Sequence, residues 1–286
     1  MKMRLVLAGV VSVAALTVIG VQGAAGAPGS VTCTGVFTGV ARTVTVPPGS
    51  EDCELVGATI TQDLIVESGA DVFVHDGATI GRDAILQTNA VADFAGASIG
   101  RDLTMQFGAG VHLANASIGR DLLASSPQTV QTGEAGDELG PLKIGRDLVM
   151  SGSTGRPFTF DSICSATVGH DIRITDRSVT VGFSIGDEEA CAGNGLGPNT
   201  IGHDLIVTTD SALSTDFFGP SSLDIGNNYV GHDLVFTGNT ALPGGYLEVN
   251  DNVVGHDAIC TDNEPAPTPD DPQDEPNLAG HTNTCG

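Results

Sequence analysis

The sequence predicts an all-β fold, a single parallel β-helix with about 19–20 residues per coil in its regular part. One observation is a motif that recurs nine times, as in "SIGRDL" and "TIGHDL", with Ile or Val three residues before an Asp. Another is the near-constant distance between successive Asp residues in the first four copies, which is roughly 20 residues. A third is that apolar residues alternate around each motif, which is typical of β-strands. Short strands at a constant period favour a solenoid of stacked coils.

The nine copies define the coils, and their aspartates are Asp63, Asp83, Asp102, Asp121, Asp147, Asp171, Asp204, Asp233 and Asp257. The residues one and three positions after each Asp are apolar, and with the preceding Ile or Val they are expected to face inward and form the core. The later copies are spaced further apart, most of all between Asp171 and Asp204, which predicts loop insertions that leave an otherwise constant coil. We expect a right-handed coil, by analogy with crossovers between parallel strands.

A Gly stands two residues before the Asp in eight of the nine copies. Its recurrence indicates a bend at which only a residue without a Cβ atom fits. The Asp that follows is expected to accept backbone N–H groups at this bend. Where Arg precedes the Asp, as at Arg101 and Arg120, the guanidinium is expected to offset the charge of the stacked carboxylates.

The N-terminal segment 1–27 has the pattern of a secretory signal peptide. Lys2 and Arg4 precede an apolar run from Leu5 to Val21, and Ala25-Gly26-Ala27 fits a signal-peptidase site. An uncleaved membrane anchor is the alternative, because the length of the run is close to the minimum that spans a bilayer, roughly 17 residues. We therefore divide the chain into a signal peptide (1–27), a parallel β-helix (28–262) and a Pro/Asp-rich C-terminal cap without a strand pattern (263–286), and expect secretion.

The six cysteines agree with export, because an even number of cysteines in a secreted chain indicates disulfides. Six cysteines allow about fifteen pairings, but here they fall into three separate couples along the chain. The expected bonds are Cys33–Cys53, Cys164–Cys191 and Cys260–Cys285. The last bond would fold the cap over the final coil and protect its unpaired strand edges. The absence of a Cys-x-x-Cys spacing disfavours redox catalysis and a zinc knuckle.

The chain is strongly acidic. Without Lys2 and Arg4, nine basic residues remain against 35 acidic ones, a net charge of −26, and no Lys or Arg follows Arg177. This charge excludes nucleic acids as electrostatically favourable partners, and it excludes anionic membranes once the signal peptide is removed. Self-association and a cell-surface or cell-wall partner remain as candidate interactions.

Histidines and aspartates are the candidate metal ligands, because Arg precedes the Asp in four copies and His does in the last four. The candidates are Asp204, Asp233, Asp257, His203, His232 and His256. Stacked imidazoles beside carboxylates could bind Zn²⁺, whereas Ca²⁺ would require six to eight oxygen ligands. The opposing interpretation is a polar outward ladder that binds no cofactor. It is favoured because a His and an Asp adjacent on a strand are expected to point to opposite faces.

The residue two positions after the Asp is expected to point outward, yet it is aliphatic in seven copies. These residues, the aliphatic stripe, are Ile65, Ile85, Leu123, Val149, Ile206, Val235 and Ile259. An outward aliphatic stripe indicates a contact surface. The alternative is that the loop insertions or the C-terminal tail cover it.

The pattern "xVGHDLxV", followed by "GNT" and "NNxVGHDL", resembles a group of uncharacterised secreted repeat proteins from actinobacteria. The ending "NVVGHDAICTDNEPAP…PNLAGHTNTCG" is similar to theirs, with a Cys after the last strand, an Asn-x-Pro and a final Cys. The resemblance implies the fold and the extracellular compartment but no activity. A looser likeness to bactofilin-type β-helices, which polymerise, is limited by the signal peptide, the cysteines and the insertions of this chain.

Together these features favour a secreted, non-catalytic structural or adhesive protein. A solenoid that binds Ca²⁺ or Zn²⁺ is the first alternative, and a polysaccharide-active β-helix enzyme is the second. The enzyme is disfavoured because Lys143 is the only Lys after the signal peptide and aromatic residues that could stack on sugars are nearly absent. No acidic pair stands out from the repeated Asp residues either, so no residue is assigned a catalytic role.

Overall fold

The computed structural model describes residues 29–50, 53–135, 138–153, 160–186, 191, 196–213, 221–268 and 275–285. The expected signal peptide therefore lies outside the described residues. Three long parallel sheets of eleven, ten and eleven strands run along the described chain. Successive coils add one strand to each sheet, except that the described part of the last coil adds strands to the first and third sheets only. This arrangement confirms the all-β parallel β-helix, while its right-handed sense stays a prediction.

The first sheet carries the residues that follow each Asp, and its strands are Ser30–Thr32, Thr43–Val46, Leu64–Val66, Ala84–Leu86, Leu103–Met105, Leu122–Ser125, Leu148–Ser151, Ile172–Thr175, Leu205–Thr208, Leu234–Thr237 and Ala258–Thr261. The second sheet has the strands Val36–Phe37, Cys53–Val56, Asp71–His75, Val91–Ala95, Gly110–Ala114, Thr129–Thr132, Phe160–Ile163, Gly182–Ile185, Ser222–Gly226 and Tyr246–Asn250. The third sheet precedes each Gly, with the strands Val40–Ala41, Thr59–Ile60, Thr79–Ile80, Ser98–Ile99, Ser117–Ile118, Leu142–Ile144, Ala166–Val168, Asn199–Ile201, Asn228–Val230, Val253–Val254 and Leu278–Ala279.

The loop insertions contain two small additional sheets. Glu134–Ala135 and Glu138–Leu139 form an antiparallel hairpin between two coils. Three short strands form a parallel ladder of their own in the later coils, and they are Ser178–Val179, Ser211–Ala212 and Thr240–Ala241. The long spacings in the sequence therefore add local structure without breaking the three main sheets.

The core is a stack of aliphatic side chains, one layer per coil. Ile60, Leu64 and Val66 of one coil are at most 1 % exposed, and Ile80 and Leu86 occupy the same positions in the next. The strand register pairs an apolar residue of one coil with an apolar residue of the next, so each inward side chain packs on those in the coils above and below. Burial of one such side chain stabilises the fold by about 1.5–3 kcal/mol.

The Gly of each motif is required by the contact between coils. A Cβ atom on Gly145 would lie 2.2 Å from the carbonyl oxygen of Gly119, and one on Gly119 would lie 2.2 Å from that of Gly100. The φ angles of these residues are outside the left-handed region. The same contact recurs at Gly81, Gly100, Gly119, Gly145, Gly169, Gly202, Gly231, Gly255 and Gly280, here called the glycine column. The sequence therefore locates the bend correctly, and its cause is backbone packing between coils rather than backbone strain.

We expect Gly145→Ala to lower the free energy of unfolding by about 3 kcal/mol or more, because the added methyl forces two coils apart. Chemical denaturation of the oxidised protein measures this loss. Gly35→Ala is the control, since a Cβ atom there meets no atom within 4 Å. Equal stability of both variants would contradict the close approach.

Buried asparagines form a ladder that the sequence analysis missed. Asn199, Asn228, Asn252 and Asn277 are at most 4 % exposed, and the side-chain Nδ2 of each of the first three donates to the Oδ1 of the next, at 2.8–3.0 Å. The Nδ2 atoms also donate to carbonyl oxygens, for example that of Ile163. A buried amide is stable here because both its donor and its acceptor are paired.

The ion pair between Arg177 and Asp161 is buried. Arg177 and Asp161 are both fully buried, and the guanidinium Nε and Nη2 donate to Asp161 Oδ2. The Nη1 donates to the carbonyl oxygens of Pro127 and Gly152, each at 2.9 Å. A buried charge is tolerated when its hydrogen bonds are satisfied in this way.

Asp210 is a carboxylate in a position where later coils have Asn. The N–H groups of Arg177, Asp210 and Asn239 donate in turn to the side chains of Asp210, Asn239 and Asn263. The Nδ2 of Asn239 donates to the carbonyl oxygen of Val207. Ile174 pairs with Val207 in the first sheet, so the Ile174 carbonyl is the corresponding acceptor one coil earlier, beside Asp210. Asp210 Oδ2 is buried without a hydrogen-bond partner among the described residues. Burial, opposed by the N–H of Arg177, raises the pKa of Asp210 to about 7.

The free energy of unfolding is expected to fall by roughly 2–4 kcal/mol as pH rises from about 4 to about 7. The reason is that folded Asp210 keeps its proton to a higher pH than the unfolded chain does. We expect Asp210→Asn to remove most of this pH dependence and to stabilise the protein at neutral pH by about 1–3 kcal/mol. Its amide can donate to the Ile174 carbonyl, as Asn239 does to that of Val207.

Thermal denaturation between pH 4 and 7.5 measures the effect. Asp262→Asn is the matched control, because it makes the same substitution at an exposed position. A wild-type profile that is flat between pH 4 and 7 would contradict the assignment.

All three expected disulfides are present, joining Cys33 to Cys53, Cys164 to Cys191 and Cys260 to Cys285. Three such bonds indicate that the chain folds in an oxidising, extracellular type of environment. None of the described residues belongs to a helix that is long and apolar enough to cross a membrane.

The cap contains a strand that the sequence analysis did not expect. Leu278–Ala279 pairs with Val253–Val254 in the third sheet, and Asn283 bridges to Ala258 of the first sheet. Cys285 is buried beside this added turn. The last part of residues 263–286 therefore starts a further coil, and the Cys260–Cys285 disulfide links this coil to the first sheet.

Candidate metal site on the Arg/His–Asp ladder

The bend between the third and the first sheet places all motif aspartates in one outward column. The Oδ1 of Asp102 accepts the N–H of Asp121, and that of Asp121 accepts the N–H of Asp147, at 3.3 and 3.2 Å. The same bond recurs in the later coils, where Asp204 accepts the N–H of Asp233 at 3.1 Å. The expected backbone role of the Asp is therefore confirmed. With the preceding Arg or His, this column is called the Arg/His–Asp ladder.

In the first half of the ladder, each carboxylate is held by the guanidinium of the next coil. The Nε of Arg101 donates to Asp83 Oδ1 and that of Arg120 donates to Asp102 Oδ1, both at 2.7 Å, while the Nη2 atoms donate to the second oxygens. Such two-point bonds are the strong form of the Arg–carboxylate pair. The hydrogen bond from Arg101 lowers the pKa of Asp83.

In the second half, an imidazole takes the place of the guanidinium. The Nδ1 of His232 lies 3.2 Å from Asp204 Oδ1 and 3.2 Å from Asp233 Oδ2. The Nδ1 of His256 lies 3.0 Å from Asp233 Oδ1 and 3.2 Å from Asp257 Oδ2. Each of these nitrogens thus lies between two carboxylates, one from its own coil and one from the coil before.

Five imidazole rings stack face to face along the ladder, and they belong to His170, His203, His232, His256 and His281. Neighbouring ring centroids are 4.8–5.1 Å apart, with planes within 8° of parallel. Their side chains are 45–72 % exposed. A carboxylate pair on Nδ1 favours the tautomer with the proton on Nδ1, which leaves the lone pair on Nε2.

The expectation that His and Asp point to opposite faces is wrong. The Gly-His-Asp segment lies at the bend rather than within a strand, so the alternation of a strand does not apply. All six candidate ligands consequently lie in one column. His203, Asp204 and His232 form a group whose ligand atoms lie within 4.8 Å of one another, and so do His232, Asp233 and His256.

Beside the six candidate ligands, the structure places three further residues in groups of this kind. His170 and Asp171 form a group with His203, and His281 forms one with His256 and Asp257. His281 was missed because Thr282 stands where the other copies have Asp. The string "LAGHT" still carries the apolar residue, the Gly and the His of the motif, and this signal could have revealed it.

Charge differs between the two halves because no Lys or Arg follows Arg177. Asp171 is 1 % exposed, and although burial raises its pKa, the N–H of Asp204 and the side chain of Arg173 lower it on balance. At the end of the ladder, hydrogen bonds from Thr282 outweigh desolvation and lower the pKa of Asp257. The lowered pKa values favour the ionised form of Asp171 and of Asp257, whose nearest ring partners are imidazoles.

The aliphatic stripe lies directly beside this ladder on the first sheet. Successive members stand in register, as Ile65 does with Ile85 and Ile206 with Val235. They are partly exposed next to inward-facing residues such as Leu64 and Val66, which are fully buried, and Leu123 is the most exposed of them. Thr104 and Arg173 interrupt the stripe. It thus faces outward as expected, and adjacent members shield one another.

Two Gly-x-Ser-x-Gly strings occur, at 96–100 and 182–186, and neither forms a nucleophile elbow. Such an elbow places its Ser on a sharp turn between a strand and a helix. Ser98 instead begins a strand of the third sheet, and Ser184 lies inside a strand of the second. Their surroundings are those of ordinary β-structure.

Comparisons of this chain with protein-family models, with curated proteins and with solved structures find no match.

The geometry predicts the tautomer of the stacked imidazoles. At a pH where the rings are neutral, ¹⁵N chemical shifts should show a protonated Nδ1 and an unprotonated Nε2 for His232 and His256. Asp233→Asn should reduce this preference at both residues, because the carboxylate of Asp233 contacts both rings. His75, on the second sheet, is the internal control, because it does not contact Asp233 and its ¹⁵N shifts should be the same in the variant. A dominant Nε2–H tautomer in the wild type would contradict the arrangement.

Proposed function

We propose that this chain is a secreted, non-catalytic structural protein that associates side by side with further copies of itself through the aliphatic stripe. The observation that carries the proposal is the in-register column of outward aliphatic residues on an unbroken eleven-stranded sheet. The three disulfides support an extracellular location, because they are stable in oxidising compartments. The signal-peptide pattern of residues 1–27 also supports export.

A second copy is the partner that fits the stripe best. The stripe repeats at the spacing of the coils, about 4.8 Å, and another copy offers the same repeat. Two copies related by a twofold axis would place stripe against stripe. Polar residues border the stripe on both sides. The Arg/His–Asp ladder lies on one side, and a column of polar residues of the first sheet, such as Gln87, Ser151 and Thr208, lies on the other. An apolar centre with a polar rim is typical of a protein interface.

The net charge of −26 that remains without residues 1–27 opposes this association, so salt should strengthen it. Screening weakens the repulsion between two acidic chains and leaves the burial of the stripe largely unaffected. A contact made mainly by ion pairs would respond to salt in the opposite way.

We expect sedimentation velocity of the mature chain to show association that increases with protein concentration and with ionic strength. Ile85→Asp combined with Val235→Asp should abolish it, because both substitutions place a charge in the stripe. Thr79→Asp combined with Thr200→Asp adds the same charge to exposed positions of the third sheet and should leave the association unchanged.

A wild-type chain that stays monomeric at high concentration and high salt would overturn self-association. Binding of that monomer to isolated cell wall, lost in the Ile85/Val235 variant and kept in the Thr79/Thr200 variant, would assign the stripe to an adhesive role instead.

A further inference from the structure

The geometry points to a binding site for divalent transition-metal ions, of the Zn²⁺ class, on the histidine half of the ladder. Each His–Asp–His group offers two ring nitrogens and one carboxylate oxygen within 4.8 Å of one another. The nitrogens that face the carboxylates are the Nδ1 atoms, so an ion bound there takes the place of the Nδ1 proton, and the neutral ring then carries its proton on Nε2. Imidazole together with carboxylate is a donor set that suits Zn²⁺, Ni²⁺ and Cu²⁺. Ca²⁺ fits poorly, because it takes six to eight oxygen ligands.

Small side-chain movements complete the site. Zn–N bonds are about 2.0–2.1 Å long, so two nitrogens on one ion lie at most about 4.2 Å apart. Stacked rings such as those of His203 and His232, 4.8 Å between centroids, must therefore tilt toward each other. Both side chains are almost half exposed, so solvent-facing space is available for this rotation. Water would complete the coordination on the open side.

Charge favours a cation at these positions. Asp204 and Asp233 contact imidazoles where Asp102 and Asp121 contact guanidiniums. The backbone is the same in both halves, because each Asp accepts the N–H of the next Asp. A bound divalent ion would thus supply the positive charge that the Arg side chains supply in the first half.

The sharing of histidines sets the capacity of the site. Four overlapping groups use five histidines, and each internal His belongs to two groups. If each His contributes to one ion, no more than two groups can be filled at once, for example His170/Asp171/His203 and His232/Asp233/His256. The ladder should therefore saturate at two ions per chain.

The experiment is isothermal titration calorimetry of the disulfide-bonded mature chain with ZnCl₂, and with CaCl₂ for comparison. We expect saturation at two Zn²⁺ per chain, a higher melting temperature with Zn²⁺, and neither effect with Ca²⁺ at equal concentration.

Two variants test the location. The triple variant His203→Arg, His232→Arg and His256→Arg converts the second half to the arrangement of the first. It should keep the circular dichroism spectrum and weaken Zn²⁺ binding by at least about tenfold. Arg146→His should add an imidazole beside Asp147 and His170, and thereby raise the capacity from two ions to three.

Absence of heat and of a melting shift with millimolar Zn²⁺ would overturn the proposal, and so would unchanged affinity in the triple variant. If that variant does not fold, NMR of the wild type shows whether Zn²⁺ binds at the histidines of the ladder. Zn²⁺ must then shift the ring signals of His203, His232 and His256 and leave those of His75 and His112 unchanged. None of these results depends on whether the chain associates through the stripe.

Discussion

The close approach of the backbone at the glycine column is the contact on which the rest of the solenoid depends. From Gly100 onward, a Cβ atom on each Gly of the column would lie only 2.2–2.4 Å from the carbonyl oxygen of the Gly one coil earlier. This contact fixes the distance between coils and the direction in which the chain leaves the bend. It therefore sets the register in which the inward aliphatic residues stack and the outward Asp residues align.

Because the backbone is the same in both halves of the ladder, the position before each Asp accommodates either Arg or His. From Asp63 to Asp233 each Asp of the ladder accepts the N–H of the next Asp, and a basic side chain such as that of Arg120 or His232 approaches two carboxylates. With Arg at that position, the carboxylates are neutralised within the protein. With His, the same geometry produces a row of stacked imidazoles that share their carboxylates, with rings open to solvent. The first half is thus an internal reference for the second.

Buried polar groups give the interior of the later coils a pattern of their own. Asn side chains continue from coil to coil where each amide finds both a donor and an acceptor partner, as Asn228 does between Asn199 and Asn252. Asp210 stands in a second column of this type and lacks the amide hydrogen that its neighbours use. Burial raises its pKa to about 7, and protonation supplies the donor that the neighbouring amides have.

The sequence by itself determined the fold class, the coil length, the disulfide couples and the inward or outward direction of the strand residues. These follow from local periodicity and from the spacing of Ile60, Asp63 and their repeats. Only the tertiary structure decided that His203 and Asp204 lie on the same side, because the path of the chain through a bend depends on the coil beneath it. The same holds for His281 and for the burial of Arg177, since their partners are 24 and 16 residues away in the sequence and come together only when coils stack.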